Sequence, residues 1–288
     1  MNWCGKVGLA VVFAILINGA VWSLPVLGEN STMVRLSGSR YLCFTVMDLA
    51  KRYMERMAET KVIVTYADQY SYVQSLMDKT SDAIMKLGKM EEDLKEEAAE
   101  QGIHLQENIV AWGAIALVTD PNNPVNELTM DQVRKIFVGE YVNWTQVGGL
   151  DEPIVTMSRD EAVSGTERFF REFVLHGFPL VQQTVKLFDP DIVRAVWNRK
   201  GSIADARYTE AVRGRIRGMV KIIALKENKE SPAVMPSVDT IGDRSYALSA
   251  PQVMYYDVKS NSRGLKEFVD FCADRGLGTH HAWLKKQR

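Results

Sequence analysis

The sequence predicts an α/β protein made of two successive units. Its 288 residues are 46% apolar, which is enough for a large core and compatible with two domains. Segments with strand and helix patterns alternate along the chain, as they do in α/β folds. A long apolar run at residues 108–119 ends in residues 120–124, a loop dense in Asp, Asn and Pro. We expect one unit to give way to the other at this loop.

The first unit has the strand and helix alternation in its simplest form. Residues 33–37 alternate like a strand, Gly38 and Ser39 form a turn, and residues 44–57 carry apolar side chains at helical spacing. The elements predicted next are a strand at 61–66, a helix at 70–79, a short strand at 83–85, a Glu-rich exposed helix at 91–101 and a strand at 108–119. This order predicts a sheet with helices packed on it.

The second unit opens with Thr129, a candidate N-cap for a helix whose apolar face carries Val133, Ile136 and Phe137. That helix is predicted to end at Gly139. The elements predicted after it are a strand at 153–158, a helix at 191–199, strands at 219–225 and 252–258, and a closing helix at 265–273. The second unit therefore continues the α/β pattern.

Residues 159–167, with the sequence RDEAVSGTE, are a candidate anion site. Apolar residues at helical spacing follow at 169–174, so this stretch predicts a helix N-terminus with an arginine upstream. Such an end offers free backbone N–H groups and the positive end of the helix dipole. Ser164 and Thr166 add hydroxyl donors, and Gly165 lets an oxyanion approach the main chain closely.

The same residues are also compatible with an ordinary helix start. Ser164 as N-cap and Glu167 as N3 form a capping box, which would stabilise any helix. Ser164 could act as a nucleophile only with a base brought from elsewhere, and none of the four histidines lies in a recognisable catalytic motif. The residues themselves leave the anion site and the helix cap both open, and they do not predict an enzyme.

Charge and composition exclude several other functions. With 35 basic and 36 acidic residues the net charge is −1, which does not suggest nucleic-acid binding, so an anion site must depend on local geometry. The basic run at 213–217 is interpreted as a solvated loop. His280 and His281 have no Cys or acidic neighbours at ligand spacing, so we expect no metal site there.

The N-terminus predicts export. Residues 1–28 contain one lysine, an apolar run and small residues before Glu29, as a cleavable signal peptide does. An uncleaved anchor at 7–27 is the alternative, because that stretch contains no charge. Cys4 precedes the apolar run, so it cannot be a lipoprotein cysteine. Export would permit a disulfide between Cys43 and Cys272, but two separately buried cysteines are equally compatible with the spacing.

A succession of motifs resembles the phosphate-binding proteins of bacterial phosphate ABC transporters. Residues 120–144 contain Asn-Pro-x-x-x-Leu-Thr, Ile-Phe-x-Gly and Asn-Trp, and Gly148-Gly149 and Pro153-Ile154 follow them. Arg159 and then Ser164-Gly165-Thr166 complete the pattern. Weaker similarity extends from about residue 33 to about residue 273, which is nearly the whole mature chain.

The resemblance implies a periplasmic-binding-protein fold with two lobes, each a mixed sheet flanked by helices, joined by two hinge strands. Lobe 1 would comprise residues 32–117 plus 247–288, and lobe 2 residues 118–246. Residues 246–251 resemble the returning hinge, and residues 201–203 resemble a late Gly-Ala-Ile segment of lobe 2. The ligand would sit between the lobes and close them.

The resemblance also implies a set of ligand-binding residues. Lobe 2 would supply Arg159, Ser164, Gly165 and Thr166, although the loop is one residue longer than usual. In lobe 1, Gly38 and Ser39 match the start of a Gly-Ser-Ser/Thr turn. The residues assigned to the ligand on this basis, including second-rank candidates, are Arg159, Ser164, Gly165, Thr166, Ser39, Gly38, Arg40, Lys86 and Asp160.

Lobe 1 departs from the family pattern in three places. Arg40 and Tyr41 replace small or hydroxyl residues, residues 66–70 lack the usual serine, and residues 85–88, which include Lys86, stand in a segment that normally carries Ser and then Asp or Arg. Arg40 and Lys86 could strengthen oxyanion binding, or they are surface charges on a lobe that has lost its ligand role. Asp160 is an available acceptor for the proton that phosphate retains near neutral pH.

The function implied is that of an exported, non-catalytic solute-binding protein in the periplasm. It would capture an oxyanion, phosphate first, and deliver it to an ABC permease in the inner membrane. We expect a monomer that binds no nucleic acid, metal or cofactor. The alternative is a degenerate homologue that acts as a sensor or interaction module with a different ligand or none, which the altered lobe 1 favours.

Overall fold

A computed structural model of the chain describes residues 32–38, 40–66, 69–159, 164–187, 192–260 and 262–273. The predicted signal peptide and the His280–His281 pair lie outside these residues. Within them, no helix has both the length and the apolar character needed to span a membrane. The same described ranges contain no cluster of three or more His, Cys, Asp or Glu residues that could hold a metal ion.

The first lobe is built on three parallel strands. Its strands are β1 (Thr32–Gly38), β2 (Thr60–Tyr66) and β3 (Ala83–Leu87), and its helices are α1 (Arg40–Met54), α2 (Gln69–Met77), α3 (Glu92–Glu100) and a last helix, α9, at 263–273. β1 lies between β2 and β3, and both pairings are parallel. The predicted strands and helices of this region are confirmed, with ends shifted by a few residues.

Two long strands run from one lobe into the other. The first, β4 (Leu105–Thr119), pairs antiparallel with β10 (Ser249–Asp257) over its first two thirds. Its last five residues pair with β8, and its last three also pair with β9. β10 in turn pairs antiparallel with β3. β4 and β10 are therefore the extended segments that connect the two lobes.

The second lobe contains the remaining strands and helices. They are β5 (Glu127–Thr129), α4 (Met130–Phe137), β6 (Val155–Arg159), α5 (Gly165–Phe173), β7 (Val185–Leu187), α6 (Ile192–Trp197), β8 (Ser202–Arg207), α7 (Tyr208–Ile216), β9 (Lys221–Lys226) and α8 (Val238–Gly242). The curled sheet has the order β2-β1-β3-β10-β4-β8-β6-β7, with β9 pairing β4 and β5. The N-cap predicted at Thr129 is confirmed, because its side chain accepts from the Gln132 backbone N–H; the Gln132 side chain accepts from the Thr129 backbone N–H in return, which completes a capping box.

Separate hydrophobic clusters fill the two lobes. The first-lobe core packs Leu36 and Met85 against Phe268 of α9, and the second-lobe core packs Trp144 against Phe170. Helices lie against the sheet in each lobe, because apolar strand faces must be covered. The predicted two-lobe α/β architecture is confirmed, and the residue boundaries of the lobes stay a prediction.

The basic run at 213–217 does not form the predicted loop. Arg213 and Arg215 lie in the last turn of α7, and Arg217 is its C-cap. Gly214 suggested a loop, but it is needed for packing: a Cβ there would lie 2.5 Å from a methyl group of Val193 on α6. Arginines also suit this position because a helix C-terminus attracts positive charge.

Cys272 is a free thiol in α9, fully buried in the first-lobe core. No disulfide joins it to Cys43, whose side chain lies outside the described part of the chain. Burial in apolar surroundings raises the pKa of the Cys272 thiol. The alternative of a separately buried cysteine therefore holds for Cys272.

Candidate functional site

The candidate site lies at the carboxyl ends of parallel strands. In the second lobe β6, β7 and β8 are parallel, and β6 ends at Arg159, five residues before Ser164. In the first lobe β1 ends at Gly38 beside Met85 of β3. Ligands of open α/β sheets bind outside the carboxyl ends of the strands. The fold thus places Gly38 in the first lobe and Arg159 in the second at the carboxyl ends of parallel strands, where open α/β sheets hold their ligands.

Arg159 is buried in a cluster of four charged side chains. Only 2% of it is exposed; its Nη1 donates to the backbone oxygen of Asp205 at 3.2 Å, and its Nη2 donates to the carboxylate of Glu210. Glu210 also accepts from Nη1 of Arg207 at 3.0 Å. Glu210 therefore pairs with two guanidinium groups, those of Arg159 and Arg207, and Arg159 also contacts the backbone of Asp205.

Asp205 is the most deeply buried member of the cluster. It has no exposed surface, and among the described residues neither of its carboxylate oxygens has a hydrogen-bond partner in good geometry, although the nearby Ser158 hydroxyl favours the ionised form. Burial raises the pKa of Asp205 to about 6, and the nearby charge of Arg159 opposes that shift. Asp205 can therefore change its protonation state near neutral pH.

The helix predicted after the anion loop begins where expected. Ser164 is the N-cap of α5, and its Oγ accepts from the Glu167 backbone N–H at 3.4 Å. Ser164 and Thr166 are both buried, and Phe170 anchors the helix in the second-lobe core. The capping interaction engages the N–H of Glu167, whereas the N–H groups of Gly165 and Thr166 precede the first intrahelical hydrogen bonds. Helix capping and anion binding are compatible here.

The first-lobe candidates have surroundings of a different kind. A Cβ at Gly38 would lie 2.9 Å from both the Cβ and the backbone oxygen of Met85, so close strand packing itself requires glycine there. Arg40 is the first residue of α1, but its side chain lies outside the described residues, as do Ser39 and Asp160. The loop residues 160–163 are likewise outside them.

Lys86 is buried on β3 and has a partner from its own lobe. Its Nζ lies 3.1 Å from Oε1 of Glu91, and 6% of the lysine side chain is exposed. The same carboxylate oxygen lies 2.9 Å from Nε of Arg168, on α5, and forms an ion pair with it. The positive charge predicted on the first-lobe side is thus balanced by a carboxylate.

The chain matches the family model of the PBP superfamily domain over residues 27–275. It belongs to the PBP superfamily. A phosphate-binding protein PstS of Borreliella burgdorferi is 25% identical over 248 residues, which cover 84% of this chain and 85% of the relative. PstS of Bacillus subtilis strain 168 is 22% identical over 244 residues, 84% of this chain and 76% of the relative. The resemblance predicted from the sequence motifs is confirmed.

A solved structure supports the fold of this superfamily member. The ABC-type phosphate transport receptor from Vibrio cholerae superposes with a TM-score of 0.68 at 23% identity, covering 83% of this chain and 93% of that one. At this level of identity the match establishes the fold, which agrees with the two lobes described above.

Four charged residues around this superfamily member's site were missed by sequence reasoning: Glu91, Asp205, Arg207 and Glu210. Asp205 and Arg207 follow the segment at 201–203 that the resemblance had singled out, and they occupy alternate positions of a fully buried strand. Charged residues at every second position of such a strand could have identified them. Glu91 carried no comparable signal, because its partner Arg168 is far away in sequence.

Proposed function

We propose that this protein is an exported solute-binding protein that captures phosphate in the cleft between its lobes for an ABC transporter. The observation that carries the proposal is the buried guanidinium of Arg159 at the end of β6, shortly before the N-terminus of α5. A cation and a helix N-terminus together favour an oxyanion. The relatives named phosphate-binding proteins support phosphate as that oxyanion.

The proposed ligand contacts of the second lobe come from one strand end and one helix start. Arg159 would supply charge-assisted hydrogen bonds, and the backbone N–H groups of Gly165 and Thr166 would point at the anion. The hydroxyl groups of Ser164 and Thr166 would complete the set. Glu210 would hold the guanidinium in place, and the guanidinium would share its N–H groups between this carboxylate and the ligand.

The proposed first-lobe contacts close over the ligand from the opposite side. Ser39, after Gly38, would donate from the end of β1. Arg40 and Lys86 are further cations, although Lys86 would have to share Glu91 with the ligand. Asp160 would accept the proton that phosphate carries near neutral pH, which a fully ionised anion such as sulfate lacks.

The proposed biological role follows from ligand capture without chemistry. The protein would act in the periplasm as a monomer, without a cofactor, and hand phosphate to a permease in the inner membrane. Lobe closure would be driven by contacts that form only when the ligand is held between the lobes. We propose no enzymatic activity.

Calorimetric titration of the phosphate-stripped protein with phosphate, arsenate, sulfate and molybdate tests the proposal. We expect saturable heat with phosphate and arsenate, and weak or no heat with sulfate. Phosphate at about 100 times its Kd should also raise the free energy of unfolding by about 2.7 kcal/mol. Absence of heat and of stabilisation with all four anions would refute capture of an oxyanion.

A second function is a sensor or interaction module of the same fold with a different ligand or none. The observation that favours it is that Lys86 and Arg159 each have a carboxylate partner within the protein. Under this alternative the charges are internally balanced and the cleft has no need of an anion. The titration described above separates the two functions.

A further inference from the structure

The two lobes touch each other at a place distinct from the connecting strands. Phe169, in the first turns of α5, packs against both the first-lobe core and the second-lobe core. It lies over Gly88, directly after β3, where a Cβ would come within 3.1 Å of the Phe169 ring. Gly88 has φ of +77°, so glycine suits this position on both grounds. The end of β3 and the start of α5 are therefore in direct contact.

Beside this apolar contact lies a chain of alternating charges. Glu91 Oε1 lies 3.1 Å from Nζ of Lys86 on β3 and 2.9 Å from Nε of Arg168 on α5. Nε of Arg168 also lies 3.0 Å from Oε1 of Glu172, one helical turn further along α5. The exposed fractions of the side chains are 6% for Lys86, 13% for Glu91, 20% for Arg168 and 47% for Glu172. The chain thus runs from the buried first lobe to the surface of the second.

In the first lobe, backbone hydrogen bonds tie the segment before Glu91 to β10. The backbone N–H of Met90 donates to Oη of Tyr255 at 2.8 Å, in a buried hydrogen bond that ties the segment before Glu91 to β10. Gly88 N–H donates to the backbone oxygen of Pro251, also on β10, at 2.8 Å. The backbone that leads into Glu91 is therefore anchored to β10, which limits the movement of the segment that carries its carboxylate.

We infer that Glu91 is an interlobe clasp, which holds Arg168 of α5 and keeps the two lobes closed without a ligand between them. The contact is partly buried, so the attraction between carboxylate and guanidinium is screened less than at the open surface. When the lobes separate, Glu91 stays paired with Lys86, and Arg168 stays paired with Glu172. Neither charge is left unpaired on opening, so the clasp can release and form again.

The clasp has a consequence for ligand affinity. If only the closed form binds the anion with all its contacts, the apparent affinity rises with the fraction of molecules already closed. The ion pair of Glu91 and Arg168 would then stabilise the closed form, so that less of the free energy of ligand binding is spent on closing the lobes. This fits a first lobe whose residues at 40–41, 66–70 and 85–88 depart from the family pattern.

Small-angle X-ray scattering of the anion-free protein tests the clasp directly. Arg168→Gln removes the ion pair between Arg168 and Glu91 and leaves the pair of Lys86 and Glu91 intact. We expect a larger radius of gyration than for the wild type. Glu172→Gln is the matched control, because it removes the carboxylate that shares Nε of Arg168 with Glu91 and leaves Glu91 itself in place; its radius of gyration should not exceed that of the wild type. Equal scattering of Arg168→Gln and the wild type would overturn the inference.

A second variant guards against an indirect effect of Arg168. Glu91→Asp keeps the charge beside Lys86 but withdraws the carboxylate by one methylene, so we expect a radius of gyration between those of the wild type and Arg168→Gln. Thermal unfolding should confirm that each variant is folded. A folded Glu91→Asp protein with wild-type scattering would also count against the clasp.

The affinity measurement rests on the proposed function, whereas the scattering does not. If phosphate binds, Arg168→Gln should weaken its binding about tenfold, as expected for loss of a charged contact that favours the closed form, and Glu172→Gln should not weaken it. If no anion binds, the proposed function fails, but the scattering comparison still decides whether the clasp exists.

Discussion

The carboxyl ends of the strands in each lobe, called here the edge of that lobe, differ in how their charges are arranged. In the second lobe, Arg159 at the end of β6 has Glu210 as a partner and a helix N-terminus a few residues along the chain. In the first lobe, Lys86 is paired with Glu91, and that carboxylate reaches across to α5. On our proposals the second lobe supplies most ligand contacts, whereas the first supplies closure contacts. Similar sheets can thus divide binding and closure between them.

The largest effect is expected from removing the guanidinium of the second-lobe edge. Arg159→Gln leaves two carboxyl groups, Asp205 and Glu210, with only Arg207 to balance them. Breaking a buried ion pair by removing one partner costs about 3–5 kcal/mol of stability. Urea unfolding measures this loss, and calorimetry should show phosphate affinity reduced about tenfold or more.

The double variant Arg159→Gln with Glu210→Gln is the matched control. It leaves one cation, Arg207, for the one remaining carboxyl group, Asp205, and so should recover a large part of the lost stability without recovering phosphate affinity. If the double variant bound phosphate as tightly as the wild type, the guanidinium would have no part in the ligand site. The second-lobe edge would then resemble the first-lobe edge, where the charged side chains pair with one another and not with a ligand.

A smaller effect, dependent on pH, is expected from Asp205. Its pKa is raised by burial from 3.8 to about 6 in the folded protein, so the folded state resists ionisation of this group. The stability that this group contributes is therefore present below pH 4 and is lost as the pH rises through 6. Relative to Asp205→Asn, the wild type should lose about 2 kcal/mol of unfolding free energy between pH 4 and pH 7. Urea unfolding of both proteins at each pH measures the difference.

Comparison with Asp205→Asn shows whether burial or the ion pair with Arg159 has the larger effect on the pKa of Asp205. If Arg159 held Asp205 ionised more strongly than burial opposes it, the wild type would instead gain stability over the asparagine variant as the pH rises. No comparable change is expected from Cys272, whose thiol stays protonated because burial raises its pKa.

The sequence predicts those strands and helices that carry a periodic apolar pattern or a capping residue within their own segment. Strands and helices with periodic apolar patterns, such as α4 with its capping box, were predicted correctly, and the helix start at Ser164 was placed at the residue where it occurs. β5 and β7 were not predicted, because three residues are too few for a periodicity. α7 was missed because Gly214 suggested a loop, while only the fold shows that Val193 requires a glycine there.

The partners of the site residues could not be predicted, since they depend on strand pairing and lobe packing. Arg159 meets Asp205 because β6 and β8 are parallel neighbours, although the two residues are 46 positions apart. Glu91 meets Arg168 only when the lobes are packed together. Periodicity and motifs identified which residues could bind an anion, but which carboxylate balances each cation is a property of the folded chain.

The smallest effect on stability is expected at Ser164, where helix capping and anion binding can be separated. Ser164→Ala removes the acceptor for the Glu167 N–H and should cost about 1 kcal/mol in urea unfolding. Ser164→Asp keeps an acceptor at the N-cap and favours the helix dipole, so its stability should equal or exceed that of the wild type. Its negative charge would nevertheless repel a bound oxyanion, and phosphate affinity should fall well below that of Ser164→Ala. Wild-type affinity in Ser164→Asp would mean that Ser164 is a helix cap alone and that the anion, if any, is held elsewhere along the second-lobe edge.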